Sequence, residues 1–420
     1  MRRDDIEAVG ELVGEAAAAG GAFVKAMHEG IASRPFDVLG GAAAPVRIIH
    51  DGVSRAVYGA VSGGLRALSR AGASAVAHQR GSEGPALADR PKTSMALGAV
   101  NGLYGDHLVR RGHRLAFSME VRRDGATLPL TREGIAAAYP DATSRVAVFV
   151  HGLFGDEENW RQFPLSGRGP GRLTYGERMQ DDLSFTPVML RYNSGLHVSR
   201  NGRELARVLE ELVQAWPTGV EEIVLVGHSM GGLVVRSACH YGERDGRRWT
   251  ASVSHVFSLG TPHLGADLEK GVNALSWAFG RLPETRGIAA FLNARSVGIK
   301  DLRYGACVDE DWNTCQDPDE FLRDRCTEVP FLPDAHYYFV GCTVREGPLG
   351  AVLGDLLVRI PSSSGRGNGK GRRIPLEDDH VHEIHGLTHM DLLNHPAIYD
   401  QLRLWITRTA ASRPQPTAAT

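Results

Sequence analysis

Residues 222–241 read EIVLVGHSMGGLVVRSACHY, and this stretch restricts the fold more than any other in the chain. Four branched apolar residues run into a serine flanked by glycines, and a helix-period run follows. An uninterrupted apolar run of this length suits a strand covered on both faces of a parallel sheet. A strand that turns at once into a helix brings the residues on either side of the turn very close together. Gly227 and Gly231, two before and two after Ser229, relieve that crowding. The G-x-S-x-G spacing in this strand-to-helix setting reads as a nucleophile elbow, with His228 and Met230 as its remaining positions. The bland reading is an ordinary turn that tolerates serine.

The same alternation recurs along the chain. RVAVFV (145–150), PVMLRY (187–192), SHVFSLG (254–260) and HYYFVGCTV (336–344) read as further buried strands, and HVHEIHG (380–386) reads as the last strand. NGRELARVLEELVQAW puts Leu205, Val208, Leu209, Leu212 and Trp216 on one helical face, with Asn201 and Glu204 spaced as a capping box. AIYDQLRLWI forms a closing helix, and Asp124-Gly125 between two extended runs signals a hairpin. Strand and helix in alternation predict a three-layer α/β fold.

At 420 residues the chain exceeds one small core, and 42% hydrophobic with 23% charged residues is ordinary for a globular protein. We divide it into a helical appendage over 1–90, a main domain over 91–412 and a disordered tail over 413–420. Within the appendage Val53, Val57, Val61, Leu65 and Leu68 share one helical face, which packs on the main domain or lies on a membrane surface. Residues 79–91 read as a linker, and 266–333 as a lid-like insertion between two strands.

A net charge of −2 argues against nucleic-acid binding. Acidic residues at Asp4, Asp5, Glu7, Glu11 and Glu15 break the apolar run that a signal peptide requires. Arg55, Arg66 and Arg70 argue against a span over 53–78. The expected setting is cytoplasmic, with peripheral membrane contact through the N-terminal helices as an option. Five cysteines without C-x-x-C spacing fit reduced thiols, although Cys307, Cys315 and Cys326 lie close enough in sequence for one pair.

An activated serine needs a base, a group that orients the base, and donors for the developing oxyanion. FVHGLFGDEENW (149–160) follows the first buried strand, where an oxyanion loop belongs. Gly152 and Gly155 allow close backbone approach, the N–H of Leu153 joins that of Met230, Phe154 is the second choice, and His151 fixes the loop. The order serine, acid, histidine directs the search to the C-terminal third. Asp355 follows a late strand; Asp334 precedes that strand, and Asp378 and Asp379 read as a solvated cluster. His389 falls between the last strand and the last helix, with His385 as the alternative. The neighbours His380, His382 and His395 also allow a metal reading, which a serine elbow does not require, so no metal and no cofactor is expected.

FVHGLFG, VLVGHSMGGLVVRSAC, SLGTPHLGADLEK and HMDLLNHPAIYDQLRLWI resemble the α/β-hydrolase lipases and esterases, especially the bacterial lipase-like group related to GPI inositol-deacylases. The resemblance spans about 145–408 and leaves the N-terminal helices aside. It implies an α/β-hydrolase sandwich and ester hydrolysis through an acyl-enzyme. In that scheme Ser229 is the nucleophile, His389 the base and then acid, and Asp355 the orienting carboxylate. One departure stands out, GDLLV at 354–358 where the group more often has GDGLV. The implied substrate is a lipidic or small acyl ester; acyl transfer by the same triad and non-catalytic lipid or partner binding are the alternatives.

Overall fold

The computed structural model describes residues 2–39, 44–78, 86–162, 173–280, 292–313, 326–344, 357–366 and 372–412, together with Glu320, Asp324 and Asp355. The anticipated tail and parts of the linker and insertion lie outside them. Eight strands form one sheet among the described residues: β1 (Glu120–Arg123), β2 (Ala126–Thr127), β3 (Arg145–Val150), β4 (Thr186–Arg191), β5 (Glu222–His228), β6 (Val253–Leu259), β7 (His336–Thr343) and β8 (Val381–His385). Their order is β2-β1-β4-β3-β5-β6-β7-β8. β1 runs antiparallel to β2 and β4, and the rest are parallel. Asp124 and Gly125 both take positive φ, 51° and 78°, the hairpin turn expected between β1 and β2.

Period-two alternation explains the three layers. Val146, Val148, Val150, Ile223, Leu225 and Val256 point into a core shared with helices α6 (Val198–Ala215) and α7 (Met230–Arg244). Ala147, Phe149, Val224, Val226, Phe257 and Leu259 point the other way, onto α5 (Tyr175–Leu183) and the closing helix Pro396–Ser412 with Leu402 and Trp405. Both faces are therefore dry, as the unbroken apolar runs require. Burial of each large side chain contributes about 1.5–3 kcal/mol relative to exposure.

Helix α6 starts earlier than the sequence suggests. Its first residue is Val198, and Asn201 lies inside it, buried, donating through Nδ2 to the Asn193 carbonyl at 2.9 Å. The Asn201–Glu204 capping box is thus absent: tertiary contact takes the amide, and Glu204 pairs with Arg207 instead.

Helices α1 (Arg3–Leu39) and α2 (Ala44–His78) lie antiparallel, with Gly10 against Ala73 and Gly14 against Arg66 and Ser69. Of the expected apolar row, Leu68 is 73% exposed and so does not face a neighbour. The first turns of α1 place Ala8 and Leu12 in a small core with Leu87, Leu97, Leu115 and Phe117. Leu97 belongs to α3 (Pro91–Arg110), a twenty-residue helix that follows the expected linker and has no apolar period strong enough to reveal it. Helix α4 (Arg132–Ala138) precedes β3, with Thr131 as its N-cap. The insertion holds helix α8 (Asp267–Gly280) and a short helix Val297–Asp301. It is tied down by Glu269, which receives Arg295 at 2.6 Å and Arg303 at 3.1 Å in a buried ion cluster. Cys239, Cys307, Cys326 and Cys342 are free thiols; Cys315 lies outside the described residues. No described helix is long and apolar enough to cross a membrane.

Candidate active site

The end of β5 and the start of α7 meet at Ser229, whose backbone has φ 53° and ψ −124°. A non-glycine residue is held there only when its surroundings insist on it. The insistence comes from packing. A Cβ on Gly231 would stand 2.3 Å from the Val150 carbonyl oxygen, and one on Gly227 would stand 2.5 Å from the Gly232 nitrogen. The Ser229 N–H donates to the Leu259 carbonyl at 2.8 Å, tying the elbow to the end of β6.

On the next residue, Gly260, a Cβ would come within 2.5 Å of Leu392 Cδ1 and 3.0 Å of His389 Cε1, so the gap left by this glycine is filled by the Leu392 methyl and the imidazole. His389 opens a short 3-10 turn, His389–Leu392, after β8. Its Nδ1–H donates to Asp355 Oδ2 at 2.6 Å, with both side chains buried. The other Asp355 oxygen accepts from the N–H groups of Leu357 at 2.9 Å and Val358 at 2.6 Å. The carboxylate is thereby fixed in place and the imidazole tautomer defined, leaving Nε2 as the free lone pair. His389 Nε2 is buried without a hydrogen-bond partner, and the Ser229 hydroxyl does not bond to it in the resting structure. Such bonds commonly close only when substrate arrives.

His228 contacts the same imidazole, ring centroids 4.8 Å apart. Burial foremost, and then the proximity of His389, push its pKa down to about 3, so it is neutral. His151 is likewise lowered to about 4, chiefly by burial. Its Nδ1–H donates to the Gly152 carbonyl at 2.8 Å, while Nε2 accepts from the Tyr192 N–H at 3.2 Å. The Tyr192 hydroxyl donates to the His151 carbonyl at 2.8 Å. His151 thus braces the loop.

Phe154 has φ 63°, and its N–H donates to Ser194 Oγ at 3.2 Å. Among the described residues no such bond engages the N–H of Leu153 or Met230, the two donors that the sequence suggests for an oxyanion. A Cβ on Gly152 would stand 3.0 Å from Ser229 Cβ, which puts the loop against the serine, and Gly155 closes the turn by donating to the Gly152 carbonyl at 3.2 Å.

The remaining candidates are elsewhere. His385 is exposed and bonds Thr343 at 2.8 Å. Asp334 is exposed and Asp378 pairs with Arg366 at 2.5 Å. Among the described residues the C-terminal histidines form no cluster of their own; His380 lies with the carboxylates Glu377 and Asp379, donor atoms within 4.8 Å of one another, where both carboxylates are exposed. His263 of the LGTPHLG block is a buried ring stacked on Phe339. Sequence reasoning missed Asn394, whose amide donates to the Trp160 and Gln162 carbonyls at 2.6 and 2.7 Å and whose Oδ1 accepts from the Tyr175 N–H at 2.7 Å. This staple secures the loop that carries His389; its φ of 58° in an Asn before His-Pro is the signal that could have found it.

Residues 141–318 match the PGAP1-like alpha/beta domain family. With a serine elbow at the end of the central β5 and this sheet order, the assignment follows. The domain has the α/β-hydrolase fold. The family match includes Ser229 and the Leu153 loop of this α/β-hydrolase fold but stops before Asp355 and His389, which the fold itself brings together. No curated protein matches the sequence. Similar solved structures include a Bacillus licheniformis lipase in mature form, at 17% identity over 63% of this chain and 91% of that one with a TM-score of 0.40. An esterase from Pyrobaculum calidifontis is 14% identical over 76% of this chain and 91% of its own, with a TM-score of 0.37. A metagenomic carboxyl esterase is 13% identical over 63% and 76%, with a TM-score of 0.35.

Proposed function

We propose that this protein is a serine carboxylester hydrolase that cleaves acyl esters, lipidic ones included, through an acyl-enzyme. The reading is carried by one observation: the buried 2.6 Å bond from His389 Nδ1 to Asp355, which leaves Nε2 bare on a ring 4.8 Å from that of His228 in the elbow. The match to the PGAP1-like alpha/beta domain supports ester cleavage at the level of reaction class. In the proposed sequence, Ser229 Oγ attacks the ester carbonyl while His389 Nε2 takes its proton. The Leu153 and Met230 N–H groups receive the oxyanion, and His389 returns the proton to the leaving alkoxide. Water, activated by the same imidazole, then releases the acid. Asp355 stays ionised and stabilises the imidazolium.

Apolar groups surround this point. Phe154 of the oxyanion loop, Leu357 beside Asp355 and Met390 beside His389 are all more than 40% exposed, a surface suited to an acyl chain. Helix α8, with Leu275 and Trp277 exposed, belongs to the insertion that we assign as a cap over the substrate.

Replacement of Ser229 by Ala tests the reading. Hydrolysis of p-nitrophenyl esters should fall by about 10⁵-fold or more, and labelling by a fluorophosphonate should vanish. A variant that still turns over esters at the wild-type rate would remove Ser229 from the mechanism.

A further inference from the structure

Helix α3 lies outside the span of sequence resemblance, yet it rests directly on the oxyanion loop. The contact is made by glycines one and two turns apart. A Cβ on Gly98 would stand 2.8 Å from the Gly155 carbonyl oxygen and 3.1 Å from that of Phe154. On Gly102 it would stand 2.2 Å from the Phe154 ring and 3.0 Å from the Phe154 nitrogen. On Gly105 it would overlap the Asn193 side chain at 1.8 Å. By contrast, Gly59, Gly63, Gly64 and Gly72 of α2 face nothing within 4 Å. Glycine inside a helix is destabilising relative to alanine, so a row used for close approach answers a need that lies outside the helix.

That need is to hold Phe154. Its ring fills the notch at Gly102, and its N–H is held by Ser194 at 3.2 Å. The neighbour Asn193 donates to the Gly105 carbonyl at 3.1 Å and accepts from the Gly195 N–H at 3.0 Å. Ser296 grips α3 from the insertion, donating from its N–H to the Leu103 carbonyl at 3.0 Å and from Oγ to the Gly102 carbonyl at 2.5 Å. Phe154 directly follows Leu153, and its positive φ leaves the loop no easy relaxation if the ring is displaced.

We propose that α3 is a positioning element of the oxyanion hole: through Gly102, flanked by Gly98 and Gly105, it fixes Phe154 and hence the direction of the Leu153 N–H. This rests on the ester-hydrolase reading above. A hole built in this way depends on the N-terminal region, because α1 packs on the same helix through Leu97.

The experiment compares full-length Gly102→Ala, Ser194→Ala and the exposed control Gly63→Ala. Circular dichroism and melting verify folding, and kcat, KM and affinity for an alkyl boronic acid, whose tetrahedral adduct needs the hole, are measured. Gly102→Ala should lower kcat by about tenfold to a hundredfold with KM within about twofold, and weaken the boronate in proportion. Ser194→Ala removes the Phe154 acceptor without adding bulk and should show the same split, more mildly, even if Gly102→Ala fails to fold. Gly63→Ala should behave as wild type. Folded Ser194→Ala with wild-type kcat and boronate affinity would overturn the proposal, as would an unaffected Gly102→Ala. Wild-type protein that no fluorophosphonate labels would remove the hydrolase reading itself, whereas labelled wild type with unaffected variants removes only the role of α3.

Discussion

His228 Nε2 lies 3.1 Å from the carbonyl oxygen of His389, so the residue before the candidate nucleophile holds the residue that carries the candidate base. A carbonyl only accepts, so the proton sits on Nε2 of His228. With its pKa lowered to about 3, chiefly by burial, His228 keeps that proton and no second one throughout the assayable range. Replacement by Phe removes the donor and leaves the buried carbonyl unpaired, at about 1–3 kcal/mol. Esterase kcat should fall about tenfold while the shape of the pH–rate profile is retained, because His228 does not titrate there. A profile that gains or loses an ionisation would contradict this assignment.

The bond from His389 to Asp355 makes a sharper prediction. Asp355→Asn keeps the side chain's size, but its amide can present an N–H to the imidazole and reverse the tautomer. Ester turnover should drop by about 10³–10⁴-fold with KM little changed. If Asp355→Asn retains more than about a tenth of wild-type kcat, another carboxylate orients the base.

Asp156 follows the candidate oxyanion loop, and burial, helped by the charge of Glu157 and opposed by Arg191 and local hydrogen bonds, raises its pKa to about 6. The folded state therefore favours the protonated acid. Its stabilising contribution is complete below the unfolded value near 3.8 and is lost as pH rises through about 6. Asp156→Asn keeps an oxygen to accept the Glu158 N–H, now 3.1 Å away, and carries no charge to bury. Its stability relative to wild type should grow between pH 4 and pH 7.5 by up to about 2–3 kcal/mol, read from urea midpoints. A difference that stays constant across that interval would show that Asp156 is already neutral or already compensated.

What the sequence determined alone lies within short reach along the chain. Unbroken apolar runs required dry strands, and the Asp124-Gly125 pair required its turn. Gly227 and Gly231 mark the elbow because backbone atoms within 3 Å leave no room for a methyl group. Each is a steric or hydrophobic demand made by a few consecutive residues, so it is legible without knowing what packs nearby. Tertiary structure decided the rest. Asn201 reads as part of a cap until Asn193 claims its amide, and Phe154 reads as the second choice of oxyanion donor until Ser194 takes its N–H. His389 and Asp355 are 34 positions apart, and chain order named both, but only loop closure around β7 and β8 brings Nδ1 to the carboxylate. The glycines of α3 read as weak helix until Phe154 and Asn193 occupy the space they leave, since an absent side chain acquires a purpose only from the distant residue that fills its place.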